Sequence, residues 1–388
     1  MEFDFTKEQL KLQRMVRDFV NNECTRQYQR EIDKTEKFPH DLWEKMSKLG
    51  FMAYPVPKEY GGKGGNIIDE IIIIEELARG MATLATPYQV NAFAGAVALS
   101  HFGTEEQKRE YLPRLADGNI FFAFSVTEPA GGQDILGVMS TSAVADGDDY
   151  VITGRKIFTT GADIADYILV VVRTKPIKDV DKKALGISMF LVPRESPGLK
   201  IRPLPKLGVR GISTCTVFYN NVRVPKMNLL GELDRGWYQL LTVLNNERIT
   251  TAACCIGVAQ AAYEDALRYA KRRVAFGKPI GAFQSIQHKL ADSALELELA
   301  RLIMYKAAWL QANGRPCGLE ATMAKQYASE IGVFITTRGM DILAGYGFIL
   351  NNNMQRYLRD IRQYVLGPIT NQISRNFIGE SIGLPRAS

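Results

Sequence analysis

The sequence predicts an α+β protein in which a helical segment, a β unit and a second helical segment follow one another along 388 residues. Three observations carry this. Apolar residues recur at three- and four-residue spacing up to about position 120; they then fall in short β-branched and aromatic runs; beyond about position 228 the helical period returns in longer stretches. Helices and strands are segregated rather than alternating, which favours α+β over a parallel α/β sheet. The expected domains are residues 1–120, 121–228 and 229–388.

Each element follows from its own stretch. Thr6 and Gln9 fit a capping box, and Leu12, Met15, Val16, Phe19 and Val20 then recur at helical spacing. FPHDLWEKMSKLGF, IIDEIIIIEELARGMATLA, NAFAGAVALSHFG and TEEQKREYLPRLADG continue the helical pattern, with Asn91 placed to cap the helix that opens at NAFAGA. FFAFSVTEP, DYVITGRKIFTTG, DYILVVVRTK, LGISMFLVP, LKIRPLP and TCTVFYNNVRVP read as strands separated by Gly, Pro or Asn. Three long amphipathic patterns then run from GWYQLL to AKRR, from AFQSIQ to QANG and from GLEATM to DILAG.

Composition bounds the function. A hydrophobic content of 46% and a charged content of 23% are those of a globular chain able to bury a core. The formal net charge of +6 is spread among acids, which argues against a nucleic-acid groove. Five cysteines without paired metal spacing point to free thiols in a reducing compartment, with Cys254 and Cys255 as core filler. The charged start MEFDFTKEQ is unlike a signal peptide, and IIDEIIII is too short to span a bilayer, so the expected location is the cytoplasm. His40, His101 and His288 have no spaced partners for a metal or a nucleophile triad.

Single motifs are weak. VTEPAGGQD, at 126–134, ends a strand in a Gly-rich turn whose N–H groups can approach a phosphate. YGGKGG lacks the ending of a phosphate loop, and no strand-borne G-x-G-x-x-G occurs. The ordered set is specific: VTEPAGGQD, GRKIFTTGA, LGVRGISTCTVFYNNVRVP, ALRYAKRRVAFGKPIGAFQSIQHKLAD, DILAGYGF and RDIRQYVLGPITNQI. In these six segments the chain resembles the acyl-CoA dehydrogenase family along essentially its full length.

The resemblance implies a fold with an N-terminal helical domain, a middle β domain and a C-terminal four-helix bundle, FAD as cofactor, an acyl-CoA substrate, an electron-transfer flavoprotein as acceptor and a homotetramer. By match to the family's motifs, Val126 and Thr127 would meet the flavin pyrimidine end, and Phe158 and Thr160 its ring and edge. Gln133 stands where the family has a phosphate-binding serine. Arg273, Phe276 and Gln284 fit R-x-x-F-G-x(6)-Q, whose arginine binds the FAD pyrophosphate of a neighbouring subunit. Asp341 and Gly345 match positions at the adenine end, where the first is usually Gln, and Thr370 with Gln372 matches a further FAD-binding pair. Arg248 matches an arginine near the CoA- and acyl-binding helix, and Ser213 and Thr214 match a loop that borders the flavin and thioester.

The family reaction needs a carboxylate facing the flavin. Many members carry a Glu just before the Gly-Thr of the last turn, where this chain has Pro368, which lacks both an acid and an N–H. A second group carries its base directly before an arginine on another helix; here that pair is Glu247-Arg248, and Glu247 is the expected base. LGPIT and the GESIGLPR tail resemble the dehydrogenases of alicyclic acyl-CoAs, one of which uses an Asp at the position matched by Asn91. These matches imply a cyclic or branched acyl-CoA substrate. The alternatives are a 1,4-dehydrogenation of cyclohex-1-ene-1-carboxyl-CoA with its acid replaced by Asn91, a reductase or desulfinase without the usual base, and a non-catalytic flavoprotein.

Overall fold

The structure, a computed structural model, describes residues 4–386. The first helical segment holds α1 (Lys7–Glu23), α2 (Arg26–Thr35), α3 (His40–Lys48), α4 (Ile67–Gly80), α5 (Ala82–Asn91), α6 (Ala98–Phe102) and α7 (Glu105–Ala116). Capping boxes open three of them: Thr6 with Gln9, Asn66 with Asp69, and Thr104 with Gln107.

Two boundaries differ from the sequence expectation. The pattern after Ile67 breaks at Met81, whose backbone is extended (φ −160°, ψ 105°). A Cβ on Gly80 would come within 2.4 Å of Val20, so α1 crosses α4 where only glycine fits. Asn91 does not cap a helix. Its φ of −65° and ψ of −41° are helical, and the chain passes through it into a π-helical turn, Ala92–Val97, that joins α5 to α6. A cap residue needs extended backbone.

The β unit comprises β1 (Phe122–Ser125), the single-turn α8 (Ile135–Val138), β2 (Ser142–Asp146), β3 (Asp149–Thr160), β4 (Tyr167–Arg173), β5 (Ile187–Pro193), β6 (Leu199–Pro203), β7 (Thr214–Pro225) and β8 (Leu229–Leu230). Its strand order is β6-β7-β3-β2-β4-β5-β8, with β1 pairing parallel to β4. Register slips between Lys156 and Thr159 in the β3–β7 pair, which re-aims the residues between them.

The last segment holds α9 (Gly236–Arg272), a small hairpin of β9 (Val274–Ala275) and β10 (Lys278–Pro279), α10 (Gln284–Ala312), α11 (Gly318–Leu343), α12 (Gly345–Phe348), α13 (Met354–Leu366) and α14 (Asn371–Ser381). One buried apolar cluster runs through all three segments, joining Val16, Ile71 and Ile74 to Ile152 and Val217 and on to Ile249, Ile256 and Ile361. Gly257 lets α9 lie against α4: a Cβ there would come within 2.3 Å of the Glu75 carbonyl. Gly208 does the same for the loop before β7, because a Cβ would meet the Arg359 carbonyl of α13 at 2.5 Å. That loop is then pinned by the Val209 N–H, which donates to the buried Asp360 at 2.6 Å. No helix among the described residues is long and apolar enough to cross a membrane.

Candidate functional site

Strand ends gather one set of the expected residues. Thr160 at the end of β3 pairs with Thr214 at the start of β7. The Ile157 N–H donates to the Thr127 carbonyl at 2.9 Å, which brings the VTEP turn beside the same strand. Ser213 accepts from the Gly161 N–H at 3.0 Å through its carbonyl, and its hydroxyl donates to Asp163. Lys206 donates to the Thr214 hydroxyl at 3.2 Å, and burial pushes that ammonium down to about 8. Phe158 stands in the register slip with φ 62° and its side chain 61% exposed. A bulky residue at positive φ is strained, so a large apolar ring is held outward at a cost in energy.

Beneath this edge is a buried ion pair that the motif reading did not single out. Lys156 of β3 donates to Glu128 at 3.0 Å and to the Val126 carbonyl at 2.8 Å. Glu128 also accepts from the Ser140 N–H and hydroxyl and from the Thr141 N–H, all within 2.9 Å. Lys156 and these donors together outweigh burial, and they hold the Glu128 carboxyl down at about 2. The pair is therefore ionised at neutral pH, although burial draws Lys156 down to about 8. The sequence carried a signal for it: Lys156 shares strand parity with the buried Tyr150 and Ile152, and a charge on the core face calls for a partner.

A second group lies at the far end of α9. Arg273 and Gly345 line one cavity of about 530 Å³ with Tyr269, Ile280, Leu343 and Tyr346. A Cβ on Gly345 would meet nothing within 4 Å, so its backbone is open to close approach. Phe276, at φ 52° in the hairpin turn, is 94% exposed. Asp341 is not part of the cavity lining; it is exposed and accepts a 2.8 Å ion pair from Lys289. Gln284 opens α10 and is exposed, as are Gln133 in the Gly-rich turn and Gln372 in the first turn of α14.

The third group surrounds Glu247 on α9. Gln89 of α5 donates to the Glu247 carbonyl at 3.2 Å and to the Thr250 and Thr251 hydroxyls at 3.0 and 2.7 Å, locking α5 to this turn of α9. The Glu247 side chain is half-buried, and among the described residues its carboxylate accepts no hydrogen bond and enters no ion pair. Burial raises its carboxyl to about 7 against the opposing pull of Arg248 and Lys325. Arg248 donates to Asn245 at 3.2 Å and lies 5.5 Å from the centre of the Phe377 ring of α14. Lys325 of α11 donates to the Ile369 carbonyl at 2.5 Å, which ties the turn after Pro368 to the same neighbourhood. Thr370 caps α14 through its hydroxyl, accepting from the Ile373 N–H at 3.3 Å. One position before Glu247, Asn246 meets a second buried acid, Glu70 of α4, at 3.4 Å; burial raises Glu70 to about 7 as well.

Asn91 is engaged elsewhere. It is buried, and its carbonyl oxygen accepts from the Phe122 N–H at 2.8 Å, fastening the start of β1 to the helical segment. No group of three or more metal-ligating side chains occurs among the described residues.

The chain therefore has a strained aromatic near the end of a strand, a cavity with an arginine and an open glycine, and a half-buried acid without a hydrogen-bonded partner among the described residues. The acyl-CoA dehydrogenase models match it in three consecutive parts: the N-terminal domain over residues 6–119, the middle domain over 123–222 and the C-terminal domain over 234–383. It is 40% identical to the probable acyl-CoA dehydrogenase YngJ of Bacillus subtilis, over 98% of this chain and 100% of that one. It is 38% identical to the caffeyl-CoA reductase-Etf complex subunit CarC of Acetobacterium woodii, over 96% of this chain and 98% of the relative. The butyryl-CoA dehydrogenase structure from Megasphaera elsdenii superposes with a TM-score of 0.94 at 32% identity, covering 98% and 100% of the two chains. The chain belongs to the acyl-CoA dehydrogenase family, and its class is that of oxidoreductases acting on CH–CH groups.

Proposed function

We propose that this chain is an FAD-dependent dehydrogenase of a cyclic or branched acyl-CoA, with Glu247 as the base. The observation that carries the reading is the state of Glu247: a half-buried carboxylate with no hydrogen-bonded partner among the described residues, poised at about 7 within the field of Lys325, which holds the turn after Pro368. A base is most effective when its pKa lies near the working pH.

The residues present fit FAD. The outward Phe158 ring offers a flat apolar surface, the Val126-Thr127 turn is bonded to the same strand through Ile157, Thr160 ends that strand, and Arg273 with Gly345 offers a cation and open backbone in one cavity. FAD, when bound, accepts the hydride that leaves the β-carbon. Everything else falls to the chain. Glu247 takes the α-proton into its carboxylate. Arg248, held by Asn245 and Phe377, keeps a positive charge next to that carboxylate without bonding it. Ser213 and Thr214 border the thioester, and Gln133, Phe276, Gln284, Asp341, Thr370 and Gln372 complete the FAD surface across the assembly.

The cyclic substrate rests on the LGPIT and GESIGLPR segments. Position 91 acts structurally in this reading, because its amide oxygen is committed to Phe122. A second reading, reduction of a 2-enoyl-CoA by the same groups with Glu247 returning the proton, is favoured by the likeness to the caffeyl-CoA reductase subunit. That relative's complex with Etf also supports an electron-transfer flavoprotein as partner. The exposed Leu295, Leu299, Leu302 and Trp309 along α10 fit burial against further copies in a homotetramer. Buried, unpaired cysteines suit a cytoplasmic setting.

The test is anaerobic bleaching of the flavin by a panel of acyl-CoA esters. Cyclohexane-carboxyl-CoA is expected to bleach the wild type, and Glu247→Gln is expected to bind the ester with bleaching slowed ~10²–10⁴-fold. Bleaching by Glu247→Gln at the wild-type rate would remove Glu247 from the chemistry.

A further inference from the structure

We propose that Lys325 is a positioning residue of this site, clamping the Ile369–Asn371 turn to α11 while holding a fixed positive charge beside Glu247. The inference rests on Glu247 being the base and adds what keeps that base poised.

Lys325 is fully buried on a face of α11 that also carries the small residues Ala321, Thr322, Ala324, Ala328, Ser329 and Gly332. Its ammonium donates to two acceptors across the helix boundary, the Ile369 carbonyl at 2.5 Å and the Asn371 side-chain oxygen at 2.8 Å. Asn371 is itself buried and bonded to Ser329 at 3.0 Å and Glu330 at 3.4 Å, so the turn is fastened at two points. Pro368 has no N–H to give, and the Gly367 N–H is spent on the Gln363 carbonyl at 3.0 Å. A trans peptide points its N–H opposite to its C=O. Holding the Ile369 carbonyl therefore fixes the Thr370 N–H away from α11, and among the described residues that N–H has no protein acceptor.

The charges explain why a lysine is tolerated there. Taking an ammonium out of water costs several kcal/mol, and its two direct acceptors are neutral. The charged or titratable groups that face it are Cys255 and Glu247 of α9 and Glu330 of α11. Burial holds the Cys255 thiol protonated, and Glu330 is already paired with Arg375 of α14. Glu247 is the carboxylate left for Lys325 to face. Around Glu247, in turn, the charges are Arg248 on its own helix and Lys325 opposite, and both favour the ionised form against burial. Lys325 is itself lowered to about 8 by burial, so it remains charged at neutral pH.

The experiment compares Lys325→Met and Asn371→Ser with wild type by the pH profile of kcat/KM, and by calorimetric binding of a non-oxidisable CoA thioester. Without the charge, Glu247 protonates more readily, so Lys325→Met is expected to move the acid limb upward by about one pH unit or more. Asn371→Ser is expected to loosen the turn, weakening thioester binding several-fold while the limb stays in place. Should Lys325→Met not fold, Lys325→Arg decides: retained charge with altered reach is expected to keep the limb and weaken binding. A limb unmoved in Lys325→Met, or moved in Lys325→Arg with binding intact, overturns the proposal. Glu247→Gln run alongside separates the two ideas: if it stays active the base assignment falls, and if it is inactive while the lysine variants behave as wild type, only Lys325 falls.

Discussion

Glu128 and Glu247 are the same side chain in opposite circumstances. Glu128 sits at the base of the β edge with Lys156, Ser140 and Thr141 all aimed at it, and its carboxyl is held down at about 2. Glu247 is half-buried, Arg248 and Lys325 act on it only at a distance, and its carboxyl is raised to about 7. Burial pushes both upward; the difference is the Lys156 charge in direct contact with Glu128, and then the hydrogen bonds to its charged form. A fully satisfied acid is a fixture. An unsatisfied one raised by burial is ready to exchange a proton, and perturbation of this kind clusters at functional sites.

Substitutions can break the comparison in order of effect. The largest is Glu247→Gln, with the loss of bleaching described above and, unlike most active-site losses, a gain in stability. An acid whose folded pKa is raised favours folding less as pH rises from its unfolded value through about 7, so at alkaline pH the Gln variant should melt higher than wild type. Glu128→Gln should do the reverse. It leaves Lys156 buried without its counter-charge, and a loss of ~3–5 kcal/mol in chemical denaturation is expected. The sign in pH also differs: the Glu128 contribution is present above the ordinary carboxylate range and is lost as pH falls toward about 2. Next in size, Arg273→Ala should weaken FAD reconstitution roughly 10- to 100-fold, as expected for one charge-assisted contact, with folding unchanged. Smallest is Asn91→Ala, which orphans the Phe122 N–H; a loss of ~1–3 kcal/mol is expected, with bleaching retained once the protein is folded.

Much of this was legible in the sequence because local signals agreed. The capping box at Thr6, the strand runs and the three long helical periods all became elements. The helix boundaries near Met81 and Asn91 are not legible in the local sequence, because tertiary contacts act there: a crossing at Gly80, and a side chain serving Phe122 instead of its own helix. In the site, Glu247 and Arg273 could be named from motif matches. Lys325 and Lys156 could not, since each acts through partners distant in sequence, Asn371 and Glu128. Both nonetheless left a trace, a lysine at a position where the helical or strand period requires a buried residue.

The most direct measurement is the rate of anaerobic flavin bleaching by cyclohexane-carboxyl-CoA, followed from acidic to alkaline pH in wild type and Glu247→Gln. The expected wild-type rate rises through a single ionisation near 7, and the variant binds the ester but bleaches ~10²–10⁴-fold more slowly, without that ionisation. A variant that bleaches with the same rate and the same ionisation as wild type would contradict the account and turn attention to another buried acid, with Glu70 the first to examine.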